Sequence, residues 1–356
     1  MRTAADMKDN FTEDDQTQDI ELQNLMPLMS CSFLPGHCLE AVRAIEDGRL
    51  RDIAMGEYYY FRGYPRETIR LTEPYLEDAD LIRRMSACFV YAFAWLSVSG
   101  DNVRRTRQML EKLREDFNDL NRMNQSSPRL RAASSFGACF ISVLFHLPLK
   151  KEFYFDSENL LLFSPGLRSF ICYLQAHAAY LHGDYGRSIG IVQTALALQP
   201  ETCPIPMIYL HVAAAMDYIG LKDTKEAKAQ IRMAWELARR DGLVEIFGEH
   251  HRLLGGLLEA ELKKDWPQDF KNIIGIARCF SRSWRQIHCI VAGSMAPDNL
   301  TTTEFSIALL AAFGWTNQEI CDHMGLKINT VKWYISIILN KLNIQKRSDL
   351  KDYILY

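Results

Sequence analysis

Several features that would decide a function quickly are missing from this 356-residue chain. No G-x-x-x-x-G-K-[ST] run occurs, so the phosphate loop of the common NTPases is excluded. No stretch reaches the ~18 uninterrupted apolar residues of a membrane span. The nearest, Met85 to Val98, contains Ser86 and Ser97 and reads as a buried helix. Strand and helix patterns do not alternate with an aspartate at a strand end, which excludes a phospho-receiver fold. The nine cysteines include no CxxC pair and no framework spacing, so neither a disulfide scaffold nor a zinc ribbon is written here, and reduced thiols in a cytoplasm are expected. The acidic start, Met1 to Leu22, has no apolar core of a signal peptide.

The densest local code lies in the last stretch, Leu300 to Tyr356. Thr301 with Glu304, and Thr316 with Glu319, each place a hydroxyl three residues before a carboxylate, the pattern of a capping box. Leu300 and Trp315 precede these caps and can staple onto Phe305 and Ile320, fixing how the chain enters each helix. Gly325 stands where the second helix must stop, because only a residue tolerant of positive φ turns that sharply at little cost. A third helix, about Ile328 to Leu342, then presents Val331, Ile335, Ile338 and Leu342 inward and Lys332, Trp333, Ser336 and Lys341 outward. Lys327 to Ser348 holds five basic residues and no acidic one, although the whole chain carries a net charge of −3. Concentrated positive charge on a helix slim enough for the major groove is what DNA phosphates and base edges require.

At these residues the chain resembles the LuxR-type (GerE-type) helix-turn-helix domain. The matching residues are Leu300-Thr301-x-x-Glu304, Gly314-x-Thr316-Asn317-x-Glu319-Ile320, Thr330-Val331-Lys332 and Lys341-Leu342-x-Ile344-x-x-Arg347. The resemblance implies that Lys332, Trp333 and Ser336 face the groove, with Lys327 and Asn329 at the entry of the same helix. It implies phosphate contacts for Thr330, Asn317, Lys341 and Arg347, an internal structural role for Glu319, and dimerisation through the helix Asp349 to Tyr356. Lys327 replaces the usual small hydroxyl, Tyr334 a common histidine, and Ser336 a longer side chain, so base preference does not transfer from relatives.

Upstream, glycines punctuate helix-like segments: Gly63 after EYYYF, Gly100 after FVYAFAWLSVS, Gly183 after CYLQAHAAYLH and Gly220 after YLHVAAAMDYI. Gly63 to Gly100 and Gly183 to Gly220 are each 37 residues apart. A period of that size belongs to stacked helix pairs that bury their faces only against neighbours. Gly166 to Leu258 resembles, more loosely, the last repeats of the sensor region in large LuxR regulators of the MalT kind, without the NTPase module those proteins carry. Longer connections at Asn121 to Pro128 and Pro148 to Pro165 interrupt the array, and Asp269 to Ile290 reads as a further helix.

Patterns suggestive of chemistry dissolve on inspection. Gly186-Arg-Ser188-Ile-Gly190 fits G-x-S-x-G, but a nucleophile elbow needs a strand before the serine, and here a helix precedes it. Adjacent His250 and His251 point about 100° apart on a helix and cannot share a metal. Cys31, His37 and Cys38, and Cys279, His288 and Cys289, lack a CxxC core.

The expectation is therefore an all-α, non-enzymatic, cytoplasmic transcriptional regulator without cofactor or metal. Residues 1–22 form an acidic tail, 23–290 a TPR-like α-solenoid for sensing or interaction, 291–299 a linker, and 300–356 a four-helix DNA-binding domain. Its partners are double-stranded DNA, a second copy on DNA, RNA polymerase, and a small-molecule or protein effector at the solenoid, with no membrane contact. The alternative is a repeat-based scaffold or anti-regulator that keeps the C-terminal domain for dimerisation.

Overall fold

A computed structural model describes residues 21–98, 104–105, 107–109, 111–112, 115, 127–146, 157–292 and 300–354. Helix is the sole regular structure among the described residues; no strand occurs there. The chain from Leu22 onward is drawn into the core, with Leu22, Leu25 and Leu28 all buried. The tail Met1 to Ile20 and the expected turn at Gly100 lie outside the described residues.

Paired helices carry the middle of the chain. Pro165–Leu181 packs antiparallel to Tyr185–Leu198, and Pro204–Gly220 to Thr224–Ala238, with Pro165–Leu181 and Pro204–Gly220 also packed on each other. The composition explains which helix lies inside. Pro204–Gly220 is apolar nearly all round and almost wholly buried, whereas Tyr185–Leu198 buries only Ser188 and Val192 and turns its other side outward. Asp184 and Asp223 cap the second helix of each pair through the amides of Arg187 and Glu226.

The turn chemistry departs from the sequence expectation in one place. Gly63 and Gly183 have positive φ, as a chain reversal after a helix requires. In the next helix pair that conformation falls on Lys222, at φ +64°, and not on Gly220. The hydrogen bonds agree: Asp184 N donates to Ala179 O and Asp223 N to Tyr218 O, each reaching back past its left-handed residue. Gly220 is the last helical residue, and its missing Cβ admits the Tyr185 ring, which such an atom would approach to 2.8 Å. Gly220 therefore serves packing between neighbouring helix pairs.

Earlier in the chain, the expected helix Leu39 to Ile53 is two: Cys38–Arg43 and Gly48–Phe61, the latter capped by Asp47. Leu81–Ser97 is a buried helix, as its apolar run suggested, and joins an aromatic cluster through Phe89 and Phe93 against Phe136 and Phe140. The helix Pro267–Ala292 buries Ile273, Ala277 and Phe280 on one face. No described helix is long and apolar enough to cross a membrane.

Candidate nucleic-acid interface

The end of the chain folds as four short pieces around one small core: Thr302–Ala312, Asn317–Met324, Ile328–Leu342 and the terminal turn Lys351–Ile354. Both capping boxes form. Thr301 Oγ1 accepts from Glu304 N at 3.3 Å while Glu304 accepts from Thr301 N at 2.7 Å. Thr316 and Glu319 repeat the exchange at 3.2 and 2.5 Å. Four otherwise orphaned amides at two helix starts are thereby fixed. Gly325 takes the left-handed conformation at φ +65°, and Leu326 N reaches back to Cys321 O, which aims the following helix across the previous one.

In Ile328–Leu342 the four inward residues Val331, Ile335, Ile338 and Leu342 are all buried. They set the rotation of the helix, so Lys332, Trp333 and Ser336 stand outward and exposed, Trp333 at 58%. Lys327 and Asn329 are exposed at the helix entry, and Thr330 is half-buried there. Lys327 makes no side-chain cap, as its replacement of a hydroxyl implies. Ser336 Oγ donates back to Lys332 O at 3.2 Å. The helix therefore offers one long cation, one indole and one short hydroxyl on a single side.

The remaining expected phosphate contacts are occupied within the domain. Lys341 Nζ donates to both carboxylate oxygens of Glu304 at 2.8 Å. Burial works to raise Glu304, but Lys341 and Thr301 outweigh it and hold the carboxyl below its usual range. Arg347 donates from one guanidinium nitrogen to Asn317 Oδ1 and from another to Trp315 O, tying the terminal segment to the start of Asn317–Met324. Burial lowers the Arg347 pKa. The Asn317 NH2 is the part of that side chain that can face a phosphate.

Tertiary contacts add a feature invisible in the local code: this domain is docked on the helices upstream. Trp315 Nε1 donates to Ile219 O at 3.3 Å, and Lys222 Nζ to Gly314 O at 2.8 Å. His323 Nε2 bonds Gly255 O at 2.9 Å, which makes Nε2 the protonated nitrogen, because a carbonyl only accepts. The Arg252 guanidinium lies 3.7 Å over the centroid of the Phe305 ring. Gly255 and Gly256, both at positive φ, let the backbone approach Leu310 and Met324. The seam draws on residues between Phe305 and Met324, and Lys332, Trp333 and Ser336 of Ile328–Leu342 stay exposed.

Comparison with known proteins agrees with this geometry. Residues 298–354 match the family described as bacterial regulatory proteins, luxR family. The C-terminal segment is a LuxR-family domain. Fifty-four residues are 44% identical to the response regulator protein VraR of Staphylococcus aureus strain Mu3, covering 15% of this chain and 26% of the relative. The VraR proteins of Staphylococcus saprophyticus and Staphylococcus epidermidis match to the same extent. The chain thus spans about a quarter of the length of the curated relatives it matches. No solved structure matches it.

The other sequence candidates do not assemble into a site. Ser188 is fully buried in the first turn of Tyr185–Leu198, with Asp217 as its titratable neighbour. His250 and His251 part as expected: His250 bonds Tyr173 and His251 bonds Glu259. No group of three metal-ligating side chains occurs among the described residues. Burial raises the thiol pKa of Cys31 to about 11 and of Cys139 to about 12, which makes both poor nucleophiles. The side chains of His288 and Cys289 lie outside the described residues.

Proposed function

We propose that the protein is a sequence-specific DNA-binding transcriptional regulator whose upstream helices form a TPR-like solenoid that governs its C-terminal domain. The carrying observation is the helix Ile328–Leu342 of a LuxR-family segment, rotated by its buried residues so that Lys332, Trp333 and Ser336 face outward. That helix enters the major groove, and Lys332 is its candidate for a guanine edge, a contact worth ~1–3 kcal/mol of discrimination. Lys327, Asn329, Thr330 and the Asn317 amide sit beside it, facing the backbone. A single recognition helix spans few base pairs, so two copies bind two half-sites, with the terminal segment as the dimer contact.

Control follows from the docking. Because the groove-facing residues stay open, the upstream helices act by holding the domain in one orientation, which decides whether two domains reach neighbouring half-sites together. The compartment is the cytoplasm, and RNA polymerase is the downstream partner.

A scaffold reading draws on two observations: Lys341 and Arg347 are engaged inside the domain, and Trp333 is a large exposed apolar side chain. Binding of the full chain to genomic fragments across a salt titration separates the two. The regulator shows a preferred sequence and affinity falling steeply with salt, weakened by Lys332→Ala. Weak binding that does not discriminate among sequences would leave the scaffold.

A further inference from the structure

A cavity of about 190 Å³ lies on the seam between the upstream helices and the LuxR-family domain. Its upstream wall includes His177, Tyr180, Ser281 and Trp284, and its far wall Phe305 and Phe313. Three of these residues keep a buried polar atom with no hydrogen-bond partner: His177 Nε2, Tyr180 Oη and Ser281 Oγ. Their side chains are more than nine-tenths buried, at 2, 6 and 8% exposure. One buried polar atom without a partner costs ~1–3 kcal/mol, so three around one space indicate a missing occupant.

A chain of hydrogen bonds fixes what the histidine offers. His250 Nδ1 bonds Ile246 O at 2.8 Å, and since that carbonyl only accepts, Nδ1 carries the proton and Nε2 a lone pair. Tyr173 therefore donates its hydroxyl proton to His250 Nε2 at 2.7 Å, and its oxygen accepts from His177 Nδ1 at 2.9 Å. His177 is left with a bare lone pair on Nε2. Burial keeps both imidazoles neutral, pushing His250 down to about 4 and His177 well below its ordinary value. The site thus presents an acceptor, two hydroxyls able to give or take a proton, and aromatic walls.

We propose that this cavity binds a small neutral molecule, an aromatic ring bearing a hydroxyl, whose O–H donates to His177 Nε2 and whose oxygen accepts from Tyr180 and Ser281. The volume matches one substituted ring, since an apolar cavity of about 150 Å³ takes benzene. Offset and edge contacts to Trp284, Phe305 and Phe313 suit a ring. The imidazole and the hydroxyls that face the ligand are uncharged, so a neutral ligand meets them without a counter-ion. Because both walls belong to the docked arrangement, the ligand binds that arrangement alone and shifts the population toward it. As a regulatory device this deepens the DNA-binding reading, but the binding itself is measured without DNA.

The test is calorimetric titration of the full chain with 4-ethylphenol and with ethylbenzene, which lacks the hydroxyl. The expected result is saturable binding of the phenol at least about tenfold tighter than ethylbenzene, since a site built around a hydroxyl discriminates against the analogue lacking one. Tyr180→Phe and Ser281→Ala keep the packing and should each weaken the phenol severalfold while leaving ethylbenzene unchanged. Bound phenol should also slow amide exchange at Trp315 to Met324, across the seam. No binding of either compound by folded protein overturns the proposal and leaves a water-filled void; equal binding of both overturns the polar assignment. Phenol binding without DNA affinity would remove the regulator reading alone, and DNA affinity without phenol binding would remove the ligand site alone.

Discussion

Substituting Glu304 with glutamine isolates the interaction that holds the helix Thr302–Ala312 to Ile328–Leu342. The carboxylate is 5% exposed and accepts from Thr301 N at 2.7 Å and from Lys341 Nζ through both oxygens at 2.8 Å. Glutamine keeps one acceptor oxygen, removes the charge and turns an NH2 toward the Lys341 cation in place of the second oxygen. A hydrogen bond to a charged group contributes ~1.5–3 kcal/mol when buried. Lys341 is 34% exposed, and solvent screening brings the expected loss toward ~1–2 kcal/mol. At 1.4 kcal/mol per decade, that is about a tenfold rise in local opening. Native-state hydrogen exchange reads it directly: amides of Ile307 to Leu310 and of Val331 to Ile338 should exchange about tenfold faster, while those of Ile208 to Met216 stay unchanged. Acid makes the same perturbation. With Glu304 held below its ordinary range in the fold, its contribution is complete above that range and is lost as pH falls through the lowered value. Unaltered exchange in both helices of a folded Glu304→Gln protein would refute the role given to this pair.

Lys332→Ala should weaken operator binding by about tenfold or more and relax preference at one base pair, read by fluorescence anisotropy over several salt concentrations; an unchanged sequence preference would move recognition elsewhere. Glu249 is buried among Tyr60 and Tyr209, and burial pushes its carboxyl up to about 7. The fold therefore favours its protonated form, and stability declines as pH rises from the ordinary carboxylate range to about 7. Glu249→Gln should flatten that decline and raise the melting temperature above pH 7, and an identical pH profile in calorimetry would contradict it. Gly255→Ala puts a Cβ 3.0 Å from Leu310 Cδ2 at φ +52°, a strain of ~1 kcal/mol. It should loosen the docked domain, seen as faster exchange at Trp315 to Met324 with the upstream helices unaffected.

Legibility divided along the range of the interactions. Caps, staples and the Gly325 stop depend on residues within five positions of one another, and the 3.6-residue spacing of Val331, Ile335, Ile338 and Leu342 told their burial in advance. The same local signals exposed Ser188 as a packing residue, because the segment before it is helical. Local reasoning misplaced the repeat turn at Gly220. A glycine marks where a left-handed residue is cheap, but here Lys222 bears that conformation, and Gly220 was needed against the Tyr185 ring.

By itself, the sequence determined the class of secondary structure, the helix-turn-helix with its outward residues, and the absence of a nucleotide loop, since these rest on short-range geometry and composition. Only the tertiary structure decided that Arg347 clasps Asn317, that Trp315 and His323 dock on Ile219 and Gly255, and that His177, Tyr180 and Ser281 surround one cavity with Phe305. Those partners are separated by up to 128 positions, from His177 to Phe305, and nothing in a local pattern encodes which distant backbone group a side chain will meet. Close packing of the whole chain makes that choice, because the arrangement that fills the core also decides which buried donors and acceptors meet and which are left facing a cavity.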